Sequence, residues 1–289
     1  HSMTALVGFE LMGLAARTGI KVILNGQGAD ETIAGYHSYF GSHWAGMIRT
    51  GQWSKAWAEM NDHSAALGSD PKRAFLRAVI PLFTDGISES SVYRRIASHK
   101  QRKHLNHNGW FTADFVERCR PEEAIRNRSL DDDLKASVRR DPLPLFLRIE
   151  DRNSMAHSIE ARVPFLDYRL VTLLFGLGAE WKMRGAWNKY ILRQAMAGRI
   201  PESVRMRADK MGFPVPGKHW LAGALYEPFQ DLLASREMRE AGIYNVAKIG
   251  KDLDSNRLGM KDASVALFNV AQFQMWSNRM HSAVQLPVR

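Results

Sequence analysis

Residues 21–31 read Lys21-Val22-Ile23-Leu24-Asn25-Gly26-Gln27-Gly28-Ala29-Asp30-Glu31, an apolar run that enters a glycine turn and leaves toward Gly35-Tyr36. Upstream, Ala5, Leu6, Phe9, Met12 and Ala16 fall at helical spacing over residues 4–18, and Gly19 stops that helix before the strand expected at 21–25. Helix, turn, short strand and glycine turn make one α/β unit. Two glycines two apart let the backbone take positive φ and turn main-chain N–H groups toward an anion. Asp30 and Glu31 then open a helix. Two readings of these carboxylates stand: one holds magnesium beside phosphates, or both complement a helix N-terminus. Gln27 is the misfit, an amide where such a loop is expected to carry an acid.

Downstream the pattern is helical, with helices expected near 41–49, 53–67, 71–83, 89–99, 129–139, 144–160, 167–176, 188–197, 221–235, 244–256 and 260–280. The fold class is therefore α/β and predominantly helical. A parallel sheet cannot consist of one strand, so the neighbours of 21–25 are expected either in another part of the natural chain, outside this sequence, or nowhere. His1-Ser2-Met3 reads as a tag remnant, which leaves residues 4–289 as an expected cut from a longer protein. The 289 residues, 45% hydrophobic, can bury a substantial core. No apolar run reaches the roughly 18 residues that a membrane span needs. Cys119 is the only cysteine, which rules out an internal disulfide and agrees with a cytoplasmic location. Forty Lys and Arg against 30 Asp and Glu give +10, a general attraction for anions. The basic residues are scattered, as solvated helix faces are, so nucleic acid is not an expected partner.

Two further stretches bear on chemistry. Over 145–167, Leu145, Ile149, Ala156 and Ile159 fall on one expected helical stripe, with Asp151, Arg152, Ser154 and Ser158 among the polar positions. Pro164 ends helix near Val163, Asp167 is placed to cap the next one, and Glu160 with Arg162 is expected as a buried ion pair or a substrate contact. In Trp187-Asn188-Lys189-Tyr190-Ile191-Leu192-Arg193, the lysine sits in a first helical turn that disfavours a cation. Lys189 is either an ordinary exposed lysine or one that meets an anion, and Arg193, one turn later on the same side, is placed to face the same phosphate or carboxylate oxygens. Lys210-Met211-Gly212-Phe213-Pro214-Val215-Pro216 with Trp220 reads as a rigid apolar clamp.

Together and in order, these pieces resemble the C-terminal synthetase domain of glutamine-dependent asparagine synthetases and their relatives the β-lactam synthetases. Asn25 to Glu31 looks like the family's SGEGADE loop, and Asp151-Arg152-Asn153-Ser154-Met155-Ala156 with Ile159 to Asp167 is close to its DRxSMAxSxEARVPFLD stretch. The blocks at 189–193 and 210–216 match two later ones.

The resemblance implies the C-terminal portion of an ATP pyrophosphatase-type (adenine nucleotide alpha hydrolase-like) domain, with only a remnant of its parallel sheet. It implies ATP and magnesium as cofactors and a small-molecule carboxylate, aspartate or similar, activated as an acyl-adenylate before an amine displaces AMP. Asn25, Gly26 and Gly28 would lie against the nucleotide, Asp30 would help hold magnesium and pyrophosphate, and Lys189 would stabilise acyl transfer. Asp151, Arg152, Glu160 and Arg162 would be scaffold. The family's upstream SGGxDS loop and the glutaminase domain that supplies ammonia are absent here, so the isolated chain is expected to be inactive. Gln27 departs from the family's Glu or Tyr. It can orient a nucleophile but cannot take its proton near neutral pH. Two non-catalytic readings remain, a basic helical polyanion-binding module and a degenerate synthetase subunit.

Overall fold

Branched Val22 and Ile23 favour extended backbone, and Val22–Leu24 forms β1. The computed structural model describes residues 3–84, 91–119, 129–208 and 215–284, and the expected apolar segment 210–214 lies outside them. Among the described residues β1 has one neighbour, β2 (Glu160–Arg162), which pairs with it in parallel through Val22 and Glu160, Ile23 and Ala161, and Leu24 and Arg162. This corrects the expectation that every partner of the first strand lies outside the sequence.

The second strand was hidden by the helical phase of Ala156 and Ile159. The helix expected to reach 160 runs only over Leu143–Met155, because Ser158 takes φ 56° and the Ile159 N–H turns back to the Ser154 carbonyl at 3.0 Å. Leu145 and Ala156 are exposed while Ile159 is fully buried, so the four apolar residues do not share one packed face. The turn aims the chain into β2.

The face of the sheet that carries Val22 and Leu24 is open, Leu24 being 73% exposed. Glu160 and Arg162 share it, since residues two apart on a strand point the same way. Their ion pair, 2.9 Å long, is more than half exposed on both sides, which corrects the buried pair expected from sequence. Pairs in that setting contribute little to stability.

Local signals set several helix ends. Gly68 at φ 68° closes Trp53–Leu67, the Ser129 hydroxyl accepts the Asp132 N–H at the start of Leu130–Arg139, and the Asn245 side chain caps Val246–Arg257. The expected helix 221–235 is broken at Gly223, whose φ −115° and ψ −109° lie outside helical values, giving Gly217–Ala222 and Tyr226–Ala234. The chain divides into two compact units. His1–Gly8, Ser90–Glu123 and Phe213–Arg289 form one, cored by Trp110, Phe229, Met238, Ile249, Leu253 and Leu267. Phe9–Glu89 and Ala124–Gly212 form the other, which holds the sheet and a core of Phe40, Trp44, Met60, Leu134 and Met183. No helix among the described residues is long and apolar enough to cross a membrane.

Candidate active site

The loop after β1 is fixed to its neighbours from its first residue. The Asn25 N–H donates to the Arg162 carbonyl at 2.7 Å, extending the strand pairing by one bond. Its side chain is committed at both ends: Oδ1 accepts the Gln27 N–H at 3.1 Å, and Nδ2 donates to Glu150 on the helix Leu143–Met155. An Asx turn of this kind bends the backbone without helix or sheet. Gly26 faces open space, with nothing within 4 Å of where a Cβ would lie. The Gln27 side chain makes no hydrogen bond among the described residues. Gly28 has two reasons to be glycine: its φ is 92°, and a Cβ would come 2.3 Å from Cδ2 of Leu166 in the turn Pro164–Leu166.

Gly28 leads into the short helix Ala29–Thr32, which splits its two acids. Glu31 turns inward, 1% exposed, and accepts a hydrogen bond from the Tyr36 hydroxyl. Burial, then that bond and the charges of Glu31 and Asp30, push the Tyr36 phenol far above its ordinary pKa. Burial likewise raises Tyr39 to about 12, with Glu31, Asp133 and Asp30 adding to it and its bond to Ser137 opposing it. Both phenols are protonated donors at neutral pH. Asp30 points the other way, where its Oδ1 lies 2.7 Å from Lys189 Nζ.

Lys189 reaches Asp30 from an unusual backbone. It stands at φ 51° before the helix Tyr190–Ala195, a left-handed conformation that costs a side-chain-bearing residue about 1–2 kcal/mol. Asn188 and Arg193 hold it there. Buried Asn188 donates from Nδ2 to the Gly35 carbonyl at 2.7 Å, and Arg193 donates to the Asn188 carbonyl at 2.8 Å and to its Oδ1 at 3.0 Å. The Arg193 guanidinium also donates to the Arg205 carbonyl and packs over the Trp187 ring at 5.0 Å. Burial, then the charge of Arg205, lowers its pKa. Arg193 is thus a brace for the loop, which corrects the expectation that it faces an anion beside Lys189.

Gly35 closes the arrangement. A Cβ there would lie 1.8 Å from Asp30 Oδ1 and 2.5 Å from Lys189 Cε, so the ion pair occupies the space that a side chain would need. Asp30 and Lys189, expected from separate blocks, are brought together, and Asn25 is tied to the helix that carries Asp151 and Arg152. Asp151 and Arg152 are exposed, and Asp167 caps the next helix by accepting the Arg169 N–H at 2.9 Å. Sequence reasoning missed Gly35, Asn188 and Glu150. Asn188 carried a usable signal, since a buried amide beside a strained lysine needs partners of its own. Among the described residues no three His, Cys, Asp or Glu side chains group as a metal site.

The sequence model of the asparagine synthase family matches residues 3–278. The chain belongs to the asparagine synthase family. A putative glutamine-hydrolysing asparagine synthetase of Mycobacterium tuberculosis is 29% identical over 291 residues, covering 94% of this chain and 41% of the relative. Glutamine-hydrolysing asparagine synthetase 1 of Bacillus subtilis is 27% identical over 278 residues, covering 94% and 42%. A shorter stretch of 98 residues is 29% identical to amidase chry2 of Gibberella zeae. This asparagine synthase family chain spans about two fifths of the length of the first two relatives. No solved structure matches it. The loop 25–31 and Lys189 both lie inside the matched region.

Proposed function

We propose that this chain is part of an ATP-dependent amidotransferase that adenylates a carboxylate, aspartate or a similar acid, and passes the acyl group to an amine. The observation that carries the reading is the 2.7 Å contact of Asp30 with Lys189 above the bare Gly35, beside the open backbone of Gly26. The reaction runs in two displacements. A carboxylate oxygen of the acid attacks the α-phosphorus of ATP and pyrophosphate leaves. The amine nitrogen then attacks the acyl carbon, AMP leaves with the electrons of the broken C–O bond, and one N–H proton passes to solvent.

The residues present fit magnesium shared with a substrate. Asp30 keeps 27% of its side chain exposed, and one carboxylate with phosphate and water oxygens is a common magnesium shell. Magnesium, when bound, supplies charge neutralisation for the departing pyrophosphate. Asn25, Gly26 and Gly28 shape the backbone that lies along the nucleotide. Lys189 offers N–H donors where negative charge develops on oxygen. The Gln27 amide oxygen accepts a hydrogen bond from the incoming N–H and orients it, without taking the proton. The exposed Val22 and Leu24 support further strands in a longer parent, since parallel sheets are covered on both faces. In that parent, cytoplasmic and fed by ammonia from a glutaminase domain, this region alone is inactive. Family membership does not favour the polyanion-binding alternative.

Exchange of labelled pyrophosphate into ATP by the parent, given its carboxylate, is the test. Exchange is expected to fall by about 10²-fold or more in Asp30→Ala, as when a group that stabilises developing charge is lost. No exchange with any of a panel of acids would sink the adenylation. Gln27 bears on the degenerate-subunit reading. The parent is expected to form amide with Gln27 in place, and Gln27→Glu to change its rate by less than about tenfold. A gain of roughly 10²-fold, the size of a general-base contribution, would instead mark a silenced synthetase.

A further inference from the structure

Glu150 stands just ahead of the block that begins at Asp151, so no motif in the sequence marks it. It lies past the middle of the helix Leu143–Met155, away from the N-terminal turn where the helix dipole favours a carboxylate. The side chain is half-buried, and no Lys, Arg or His pairs with it among the described residues. Its hydrogen-bond partner there is the Asn25 side chain, 125 positions away. A half-buried carboxylate without a cation is unfavourable by itself. Beside a loop that lies along a nucleotide it would also repel the phosphates. Neither its burial nor its charge accounts for its place.

What Glu150 does shows at Asn25. A carboxylate only accepts and a main-chain N–H only donates, so one orientation of the Asn25 amide meets both neighbours. Nδ2 then donates to Glu150, and Oδ1 accepts the Gln27 N–H at 3.1 Å. Reversing the amide would set Oδ1 against the carboxylate and Nδ2 against the N–H. Without Glu150 the amide is tied at one end, by a single bond to the Gln27 N–H. The remaining anchor at residue 25, its N–H bond of 2.7 Å to the Arg162 carbonyl, fixes Asn25 but not the two residues after it. Gly26 is exposed, with nothing within 4 Å of where a Cβ would lie, so the turn alone sets its backbone.

We propose that Glu150 is a positioning residue for nucleotide binding: through the Asn25 amide it holds the backbone of Gly26 and Gln27 in the form that receives ATP. The identity of the ligand rests on the adenylation proposed above.

The sign of the effect separates positioning from charge. Removing a carboxylate that acted only through its field would tighten ATP binding, whereas removing a brace weakens it. Isothermal titration of the parent with ATP and magnesium measures the affinity, and pyrophosphate exchange gives KM for ATP and kcat. Glu150→Ala is expected to weaken ATP binding about tenfold, the size expected for one hydrogen bond to a charged group, and to raise KM alike with kcat within about twofold. Glu150→Gln keeps an acceptor for Asn25 Nδ2 and should weaken binding by less than about threefold. Asn25→Asp sets two carboxylates face to face and should weaken binding as far as Glu150→Ala does. Adding Glu150→Gln to Asn25→Asp reverses the direction of the bond and should restore the affinity. Circular dichroism melts check that each variant folds. Tighter or unchanged ATP binding in Glu150→Ala, or no rescue in the swapped pair, would overturn the proposal. Pyrophosphate exchange by a parent whose ATP affinity is indifferent to Glu150 removes this role and leaves adenylation standing. ATP binding that follows these variants, without exchange for any acid, does the reverse.

Discussion

Gly35→Ala is expected to cut amide formation by the parent protein at least 10²-fold while lowering stability by only about 1–3 kcal/mol. The added Cβ would stand 1.8 Å from Asp30 Oδ1, 2.7 Å from its Cγ and 2.5 Å from Lys189 Cε, and one side must yield. The backbone of Gly35 cannot yield easily. Its N–H donates to the Asp30 carbonyl at 2.8 Å and its carbonyl accepts from Asn188 at 2.7 Å. The ends of Asp30 and Lys189 are the softer parts, so they swing away and the pair is lost. The φ of Gly35 is not positive, so alanine brings no backbone strain and the effect is steric. Thermal melts with a steady-state assay of AMP release check both halves. Gly26→Ala, with nothing within 4 Å, should leave the melt unchanged. Full activity in Gly35→Ala would show that the Asp30–Lys189 contact is dispensable.

The second large effect is at Lys189. Lys189→Ala should lower the rate of amide formation by the parent 10²- to 10³-fold, roughly what removal of one donor to a developing oxyanion costs. Lys189→Arg should not rescue it. Lys189 Cε already lies 2.5 Å from where a Gly35 Cβ would be, and a planar guanidinium on a longer stem cannot retrace that path. Stability should respond to backbone rather than charge. Because residue 189 is held at φ 51°, Lys189→Gly should be more stable than Lys189→Ala by about 1 kcal/mol although equally inactive. Equal melts for the two would mean that the left-handed conformation is not held. An alanine variant with unchanged rate would remove Lys189 from the chemistry.

What was legible in the sequence was local. Val22-Ile23-Leu24 between glycines announced β1, and Asp167 after Pro164 announced its cap, because neighbouring residues decide both. The strained charge at Lys189 was legible as a conflict, and Asp30 supplies the anion that the conflict asked for. β2 was not legible, since a single left-handed Ser158 cut a helical pattern that apolar spacing alone extends. Arg193 was misread because spacing gives the face of a helix, whereas the carbonyls of Asn188 and Arg205 that capture it are set by loop folding. Gly35 looked like loop punctuation. Its meaning depends on two side chains that only the folded chain brings together.

The bonds that tie the glycine loop to the rest of the site join residues 22–35 to residues 150–189. Asn25 meets Glu150 across 125 positions, and Gly35 meets Asn188 across 153. Contacts of such span close long loops and form late in folding. On a ribosome adding about 5–20 residues per second, the glycine loop waits roughly 6–30 s for its partners to emerge. Throughout that interval Val22 and Leu24 have no β2 beside them, which makes this stretch the point where a chaperone has most to protect.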